Sequence, residues 1–262
     1  MSIEPFCTVQ GEGFPIVFVH GLGVDHRSLM MLDDVFPDDT KRIYLDLPGF
    51  GKTPALPAPG GLQELSGWLR GAVSALVGDC DYALVANSMG GALARDLLAA
   101  QPEHIVGMAL LAPVVDPVKA HRRVGEHTVR HPNNELTKTL PKAQALDFLE
   151  MGVNRSFEAW RRYQRFILPG TRLCDREALM RLGSRYYLDS NPEDRFGIFA
   201  GPVAIICGRE DQIVGYEDQR DLLPHYPNAV YTVVEESGHN VHVDQPDAVR
   251  AALRDWIGLL PV

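Results

Sequence analysis

Three widely separated residues, Ser88, Asp211 and His239, are of the types that together make a hydroxyl group nucleophilic. A serine attacks a carbonyl carbon only when a base takes its proton, and the usual base is an imidazole oriented by a carboxylate. Ser88 lies in YALVANSMGGALARDLLAA, where a short apolar run passes directly into a helix-forming one. This is the setting of a nucleophile elbow, in which serine projects from a tight strand-to-helix turn and small neighbours let the two elements approach. Gly90 fills the second glycine position of Gly-x-Ser-x-Gly, while Ala86 stands at the first and adds one methyl group. Taken alone, Ser88 reads equally as a helix cap.

Its companions change that balance. Asp211 sits in GREDQIV after the apolar run VAIIC, and His239 sits in SGHNVH after AVYTVVE. The order along the chain is therefore serine, acid, histidine, as expected when this chemistry is built on an α/β sheet. His242 is a rival base, and Asp116 and Glu210 are rival acids; Asp211 also reads as a cap for a helix starting near Val214. A fourth feature, HGLG at 20–23, follows the apolar run IVFVH. A tetrahedral intermediate needs preorganised N–H donors for its oxyanion, and a glycine-rich loop exposes backbone amides; Leu22 and Met89 are the expected donors.

The elements that must position these groups are legible as apolar runs. IVFVH, RIYLDL, YALVAN, VGMALLA, VAIIC and AVYTVVE have the near-continuous hydrophobicity of strands buried on both faces of a mainly parallel sheet. Helices are expected over 62–77, where Leu62, Leu65, Leu69, Val73 and Leu76 recur every three or four residues, over 89–100, and over 244–259. The alternation predicts right-handed βαβ units in a doubly wound sheet, with each chemical group on a loop at the carboxyl edge. The segment from about Pro113 to Arg195 breaks the rhythm, with helical stretches such as LPKAQALDFLEM and SFEAWRRYQRF and no strand-like run. Eighty residues is long for one crossover, so a helical cap over 114–195 is expected on a core made of 1–113 and 196–262. PALPAPGG at 54–61 reads as a surface loop.

With 262 residues, 45% hydrophobic and 23% charged, the chain has the make-up of a globular protein that buries a large core. A net charge of −9 argues against a polyanion such as nucleic acid as the main partner but does not exclude an anionic substrate; the expected partner, from the acyl chemistry above, is a small-molecule substrate. Cys7, Cys80, Cys174 and Cys207 are scattered, with no metal-ligand spacing, and read as reduced thiols. The opening residues MSIEPFCTVQGEG contain no basic segment followed by an apolar stretch, and no apolar run approaches a membrane span of about 18 residues. A cytoplasmic protein without a membrane partner is expected.

The motifs HGLG at 20–23, DLPGFGKT at 46–53, NSMGG at 87–91, GRED at 208–211 and GHNVH at 238–242 together resemble the α/β-hydrolase superfamily, over nearly the whole chain. The resemblance implies an eight-stranded core sheet, a helical cap inserted after the sixth strand, and the roles named above for Ser88, His239, Asp211, Leu22 and Met89. It implies no metal and no organic cofactor. Serine at the elbow, in place of aspartate, speaks against the branches that form an alkyl ester on a carboxylate.

Substrate class is drawn in two directions. Asn87 before the serine is similar to hydrolases that cleave carbon–carbon bonds in ring-fission products, whereas HGLGVDHRSL looks like enol-lactone hydrolases and carboxylesterases. Asn240 also departs from the tryptophan often found in the first group. Ester or lactone hydrolysis is therefore the first expectation, and C–C hydrolysis the second. An acyltransferase, a perhydrolase or a non-catalytic ligand-binding relative of the fold completes the alternatives. In the cap, Trp160, Arg161, Arg162, Tyr163, Arg165 and Phe166 cluster, and an inward-pointing Arg162 would bind a substrate carboxylate with aromatic walls around it. The competing reading is a solvated basic helix face. His26, just past HGLG, is expected at the pocket rim or as a helix cap.

Overall fold

The computed structural model describes residues 3–261, with only the backbone described for residues 142–144. Seven strands form one sheet: β1 (Cys7–Gln10), β2 (Phe14–Val19), β3 (Thr40–Leu45), β4 (Tyr82–Asn87), β5 (Ile105–Leu111), β6 (Val203–Gly208) and β7 (Ala229–Val234). Their spatial order is β1-β3-β2-β4-β5-β6-β7; β1 runs antiparallel to β3 and all other pairs are parallel.

Two expectations need correction. The sheet has seven strands among the described residues, where the resemblance implied eight, because the chain ahead of β2 holds only the four-residue β1 and a glycine turn. For the same reason the long helical segment falls between the fifth and sixth strands and not after the sixth.

Burial of the strands on both faces follows from their composition. Along β4, Ala83 and Val85 join one apolar layer with Leu29, Leu253 and Trp256, while Leu84 and Ala86 join the opposite layer with Leu65, Leu69 and Leu97. The second layer is supplied by the helices Leu62–Val77 and Met89–Ala100, the first largely by the helix Pro246–Ile257. Each leucine buried this way contributes on the order of 2 kcal/mol in transfer free energy.

Between β5 and β6 the chain forms short helices, among them Lys142–Met151, Phe157–Arg162 and Arg176–Ser184, with a π-helical turn at Tyr163–Ile167. Phe148, Trp160 and Tyr163 pack ring against ring, with centroids 5.1 to 5.7 Å apart, and extend the first apolar layer into this segment. No described helix is long and apolar enough to cross a membrane. All four cysteines are free, and Cys207 is buried in β6.

Candidate active site

Ser88 leaves β4 with φ +53° and ψ −116°, a backbone conformation that side-chain-bearing residues rarely adopt. The turn is enforced on both sides. The Ser88 N–H donates to Leu111 O at 3.0 Å, and its carbonyl accepts Val114 N–H at 2.9 Å. The helix start passes so close to β2 that a Cβ on Gly90 would collide with the carbonyl of Val19. Ser88 makes no side-chain cap to its helix, so the capping alternative is set aside and its hydroxyl is left for other work.

That hydroxyl meets His239. Ser88 Oγ lies 2.9 Å from His239 Nε2, and His239 Nδ1 lies 2.9 Å from Asp211 Oδ2. A carboxylate only accepts, so Nδ1 carries the proton and donates it; Nε2 is then the acceptor for the serine hydroxyl. All three residues are buried. Asp211 divides its oxygens: Oδ2 faces the imidazole, and Oδ1 accepts the N–H groups of Ile213 at 2.8 Å and Val214 at 3.0 Å. The turn-capping role and the histidine contact belong to the same carboxylate.

The strand bearing His239 is three places from β4, about 14 Å across the sheet. Its loop must fold back over β6 and β5 to reach Ser88, and two further carboxylates hold it there. Glu210 Oε2 accepts Ser237 N–H at 3.1 Å while its Oε1 accepts Arg130 Nε at 2.7 Å. Asp244 accepts Gly238 N–H at 2.9 Å with one oxygen and Asn154 N–H at 3.0 Å with the other. Glu210 is thereby occupied away from the imidazole. Asp116 is remote from it as well, bonded to Val118 N–H at 2.7 Å and to His121 at 3.1 Å.

HGLG packs against the elbow. A Cβ on Gly21 would stand 3.1 Å from Ser88 Cβ and 2.9 Å from Asn87 Oδ1, so the backbone entering Leu22 runs alongside the nucleophile. His20 pins this loop: Nδ1 donates to Gly21 O at 2.7 Å, and Nε2 accepts Leu47 N–H at 2.9 Å. Burial holds its imidazole below the usual histidine range, which keeps this tautomer neutral. As the first helical residue, Met89 has an N–H with no carbonyl one turn back to accept it.

A cavity of about 320 Å³ opens on Ser88, Asn87, Leu22 and His239. Asn87 donates to Leu111 O at 3.0 Å. Two other expected contacts lie elsewhere. The His26 ring bonds Asp46 at 2.7 Å and is not among the cavity walls, because that carboxylate also collects the N–H groups of His26 and Lys52. Arg162 does not point inward: its Nε donates to Val243 O at 2.9 Å, which fastens the helix Phe157–Arg162 to the turn Val241–Asp244 behind His239. Asp25, His26 and Asp46 come within 4.8 Å of one another, yet their atoms are committed to each other, to Arg27 and to backbone amides.

Two of the residues lining the cavity, Tyr163 and His242, also carry buried polar atoms. The hydroxyl of Tyr163 and both ring nitrogens of His242 are buried without a hydrogen-bond partner. His242, the rival base, does not take Ser88's proton; His239 occupies that position. Such orphans cost on the order of 1–3 kcal/mol each.

A sequence profile described as the alpha/beta hydrolase family matches residues 16–252. An alpha/beta superfamily hydrolase from Oenococcus oeni PSU-1 superposes with a TM-score of 0.91 at 29% identity, covering 99% of this chain and 97% of that one. The (E)-2-((N-methylformamido)methylene)succinate hydrolase of Acinetobacter baylyi is 22% identical over 96% of this chain and 93% of its own. The 2-succinyl-6-hydroxy-2,4-cyclohexadiene-1-carboxylate synthase of Enterobacter sp. strain 638 is 26% identical over 94% and 93%.

Proposed function

Because the chain belongs to the alpha/beta hydrolase family, we propose that it is a serine hydrolase that cleaves a small carboxylic ester or lactone through an acyl-enzyme on Ser88. The observation that carries this reading is the unbroken hydrogen-bond relay from Ser88 through His239 to Asp211, opening on a cavity of about 320 Å³.

Ser88 Oγ attacks the substrate carbonyl carbon while Nε2 of His239 takes its proton, and Asp211 stabilises the imidazolium and fixes its orientation. The oxyanion rests on the amides of Leu22 and Met89. Collapse expels the alcohol, which leaves with the proton from Nε2, and Ser88 is acylated. A water then gives its proton to Nε2, attacks the acyl carbon and releases the acid with Ser88 restored. One water is consumed, and a lactone yields its hydroxy acid by the same steps.

Residues 114–195 act as a cap in this mechanism, since Asp147, Met151, Tyr163 and Ile167 supply walls of the cavity. The Acinetobacter relative is named for a substituted succinate. Here the described cavity walls include the carboxylates of Asp147 and Glu150 and no lysine or arginine, which supports uncharged esters and lactones over dianions.

The test is hydrolysis of p-nitrophenyl butanoate by wild type and Ser88→Ala, with fluorophosphonate labelling of the wild type. Loss of activity on the order of 10³-fold or more and labelling at Ser88 are expected. Retention of most activity by Ser88→Ala, or label on another residue, overturns the assignment.

A further inference from the structure

The loops that carry Asp211 and His239 rest on the segment between β5 and β6 as well as on the sheet. Residues 130 and 131 pair with residues 153–155 in a short parallel bridge: Val153 O accepts Arg130 N–H at 3.0 Å, and His131 O accepts Arg155 N–H at 3.0 Å. This strap lies directly on the histidine loop, since a Cβ on Gly238 would stand 2.9 Å from Val153 Cγ2 and 3.4 Å from Met151 O.

Three side chains of the strap reach the loops. Asn154 Nδ2 donates to Asp244 O at 3.1 Å, His131 Nε2 lies 2.8 Å from Glu236 Oε2, and Arg130 Nε donates to Glu210 Oε1 at 2.7 Å. They differ in what they support. His131 and Glu236 are both half exposed, so water screens their pair. Arg130 is half exposed too, but its partner is not: the Glu210 side chain is 5% exposed.

Glu210 and Ser237 hold each other twice. Glu210 N–H donates to Ser237 O at 2.9 Å, and Glu210 Oε2 accepts Ser237 N–H at 3.1 Å. Glu210 immediately precedes Asp211, and Ser237 stands two residues before His239. The pair therefore sets the gap between two loops whose side chains meet at 2.9 Å. A buried carboxylate keeps its charge only when it is paired. Among the described residues, Arg130 is the one cation at ion-pair distance from Glu210. Without it the carboxylate turns to water and releases the Ser237 amide.

Building on the acyl-hydrolase reading, we propose that Arg130 is a positioning residue: through Glu210 it anchors the Ser237–His239 loop so that the imidazole stays between Asp211 and Ser88. The segment over residues 114–195 then serves the proton transfer as well as the cavity walls. Loss of this anchor slows turnover and leaves substrate affinity in place.

The experiment compares Arg130→Met, Arg130→Lys, Glu210→Gln and Arg130→Met/Glu210→Gln, by p-nitrophenyl butanoate hydrolysis and by amide hydrogen exchange followed by NMR. Arg130→Met lowers kcat by about 10- to 100-fold, the cost of a misplaced base, and moves KM by less than about 2-fold. Arg130→Lys keeps a cation beside Glu210 and recovers most of kcat. The double variant is no slower than Glu210→Gln, because Arg130 acts through Glu210. Ser237 N–H exchanges about 10-fold faster in Arg130→Met, the worth of a hydrogen bond to a charged group, while Val85 N–H in β4 exchanges as in wild type. Arg123 ties the same segment to Asp218 and Asp221, away from both loops, and Arg123→Met keeps kcat within about 2-fold of wild type. An unchanged kcat in Arg130→Met, a loss carried by KM, additive losses in the double variant, or an equal loss in Arg123→Met overturns the proposal. A wild type inactive on the ester defeats the hydrolase reading alone; the exchange rates then decide the anchor, and equal Ser237 N–H protection in wild type and Arg130→Met overturns it.

Discussion

The carboxylate of Asp244 accepts the backbone N–H of Gly238 at 2.9 Å, one residue before the histidine that meets Ser88. Its other oxygen holds Asn154 in the helical segment between β5 and β6. A single buried side chain thus sets the height of the His239 loop and ties it to the wall of the cavity.

Burial pushes the Asp244 carboxyl up to about 7, against the opposing pull of the amides of Gly238, Asn154 and Val153 and of Arg162. In the unfolded chain this group releases its proton near pH 4. Between about pH 4 and 7 the folded state therefore binds more protons than the unfolded state, and this group's contribution to stability falls as pH rises through that window. Asp244→Asn does not titrate, so its destabilisation relative to wild type is larger near pH 5 than near pH 8. Urea unfolding at the two pH values checks this, and a gap that widens toward pH 8 contradicts it.

Strain at Ser88 gives a second expectation. With φ at +53°, alanine at this position keeps the penalty while glycine relieves it, worth about 1 kcal/mol or more. Both variants lose activity, and Ser88→Gly is the more stable, reversing the usual helix-start preference between the two. Thermal unfolding of the pair decides; a higher Tm for Ser88→Ala would show that the turn is not strained.

The acid is separable by substitution. Asp211→Asn leaves the volume intact but spoils the imidazole tautomer, and kcat is expected to fall by about 10⁴-fold. Asp116→Asn, whose side chain bonds Val118 and His121, stays within about 3-fold of wild type. Steady-state kinetics on one ester suffices, and equal losses in the two variants would remove Asp211 from its role.

Behind the elbow helix, Arg95 and Glu193 form a buried pair through two hydrogen bonds of 2.6 Å, joined by Tyr226 at 2.9 Å. Arg95→Met strands the Glu193 carboxylate and is expected to cost about 3–5 kcal/mol. Adding Glu193→Leu recovers most of that loss. Chemical denaturation of the single and double variants measures it, and additive losses would mean that the pair is not coupled.

The chain announces its sheet through composition. Strands such as VAIIC, covered on both faces, must be apolar throughout, and β2 to β7 are visible for that reason. CTVQ is not, because an edge strand with Gln10 and Thr8 carries no such run. Local chemistry likewise marks Ser88, Asp211 and His239, since each follows an apolar strand at the edge where the loops gather.

Sequence by itself determined the layered α/β core and the short list of groups able to do acyl chemistry, because periodicity and residue type are local properties. Tertiary structure decided which of them touch. It turned Arg162 onto a backbone carbonyl and His26 onto Asp46, occupied Glu210 and Asp244 in holding the long loop, and buried the Tyr163 hydroxyl and the His242 ring nitrogens without partners. Those outcomes depend on the direction a helix face takes and on where a loop folds back over β6 and β5, and both are set by packing between separate segments of the chain, 81 residues apart for Arg162 and Val243.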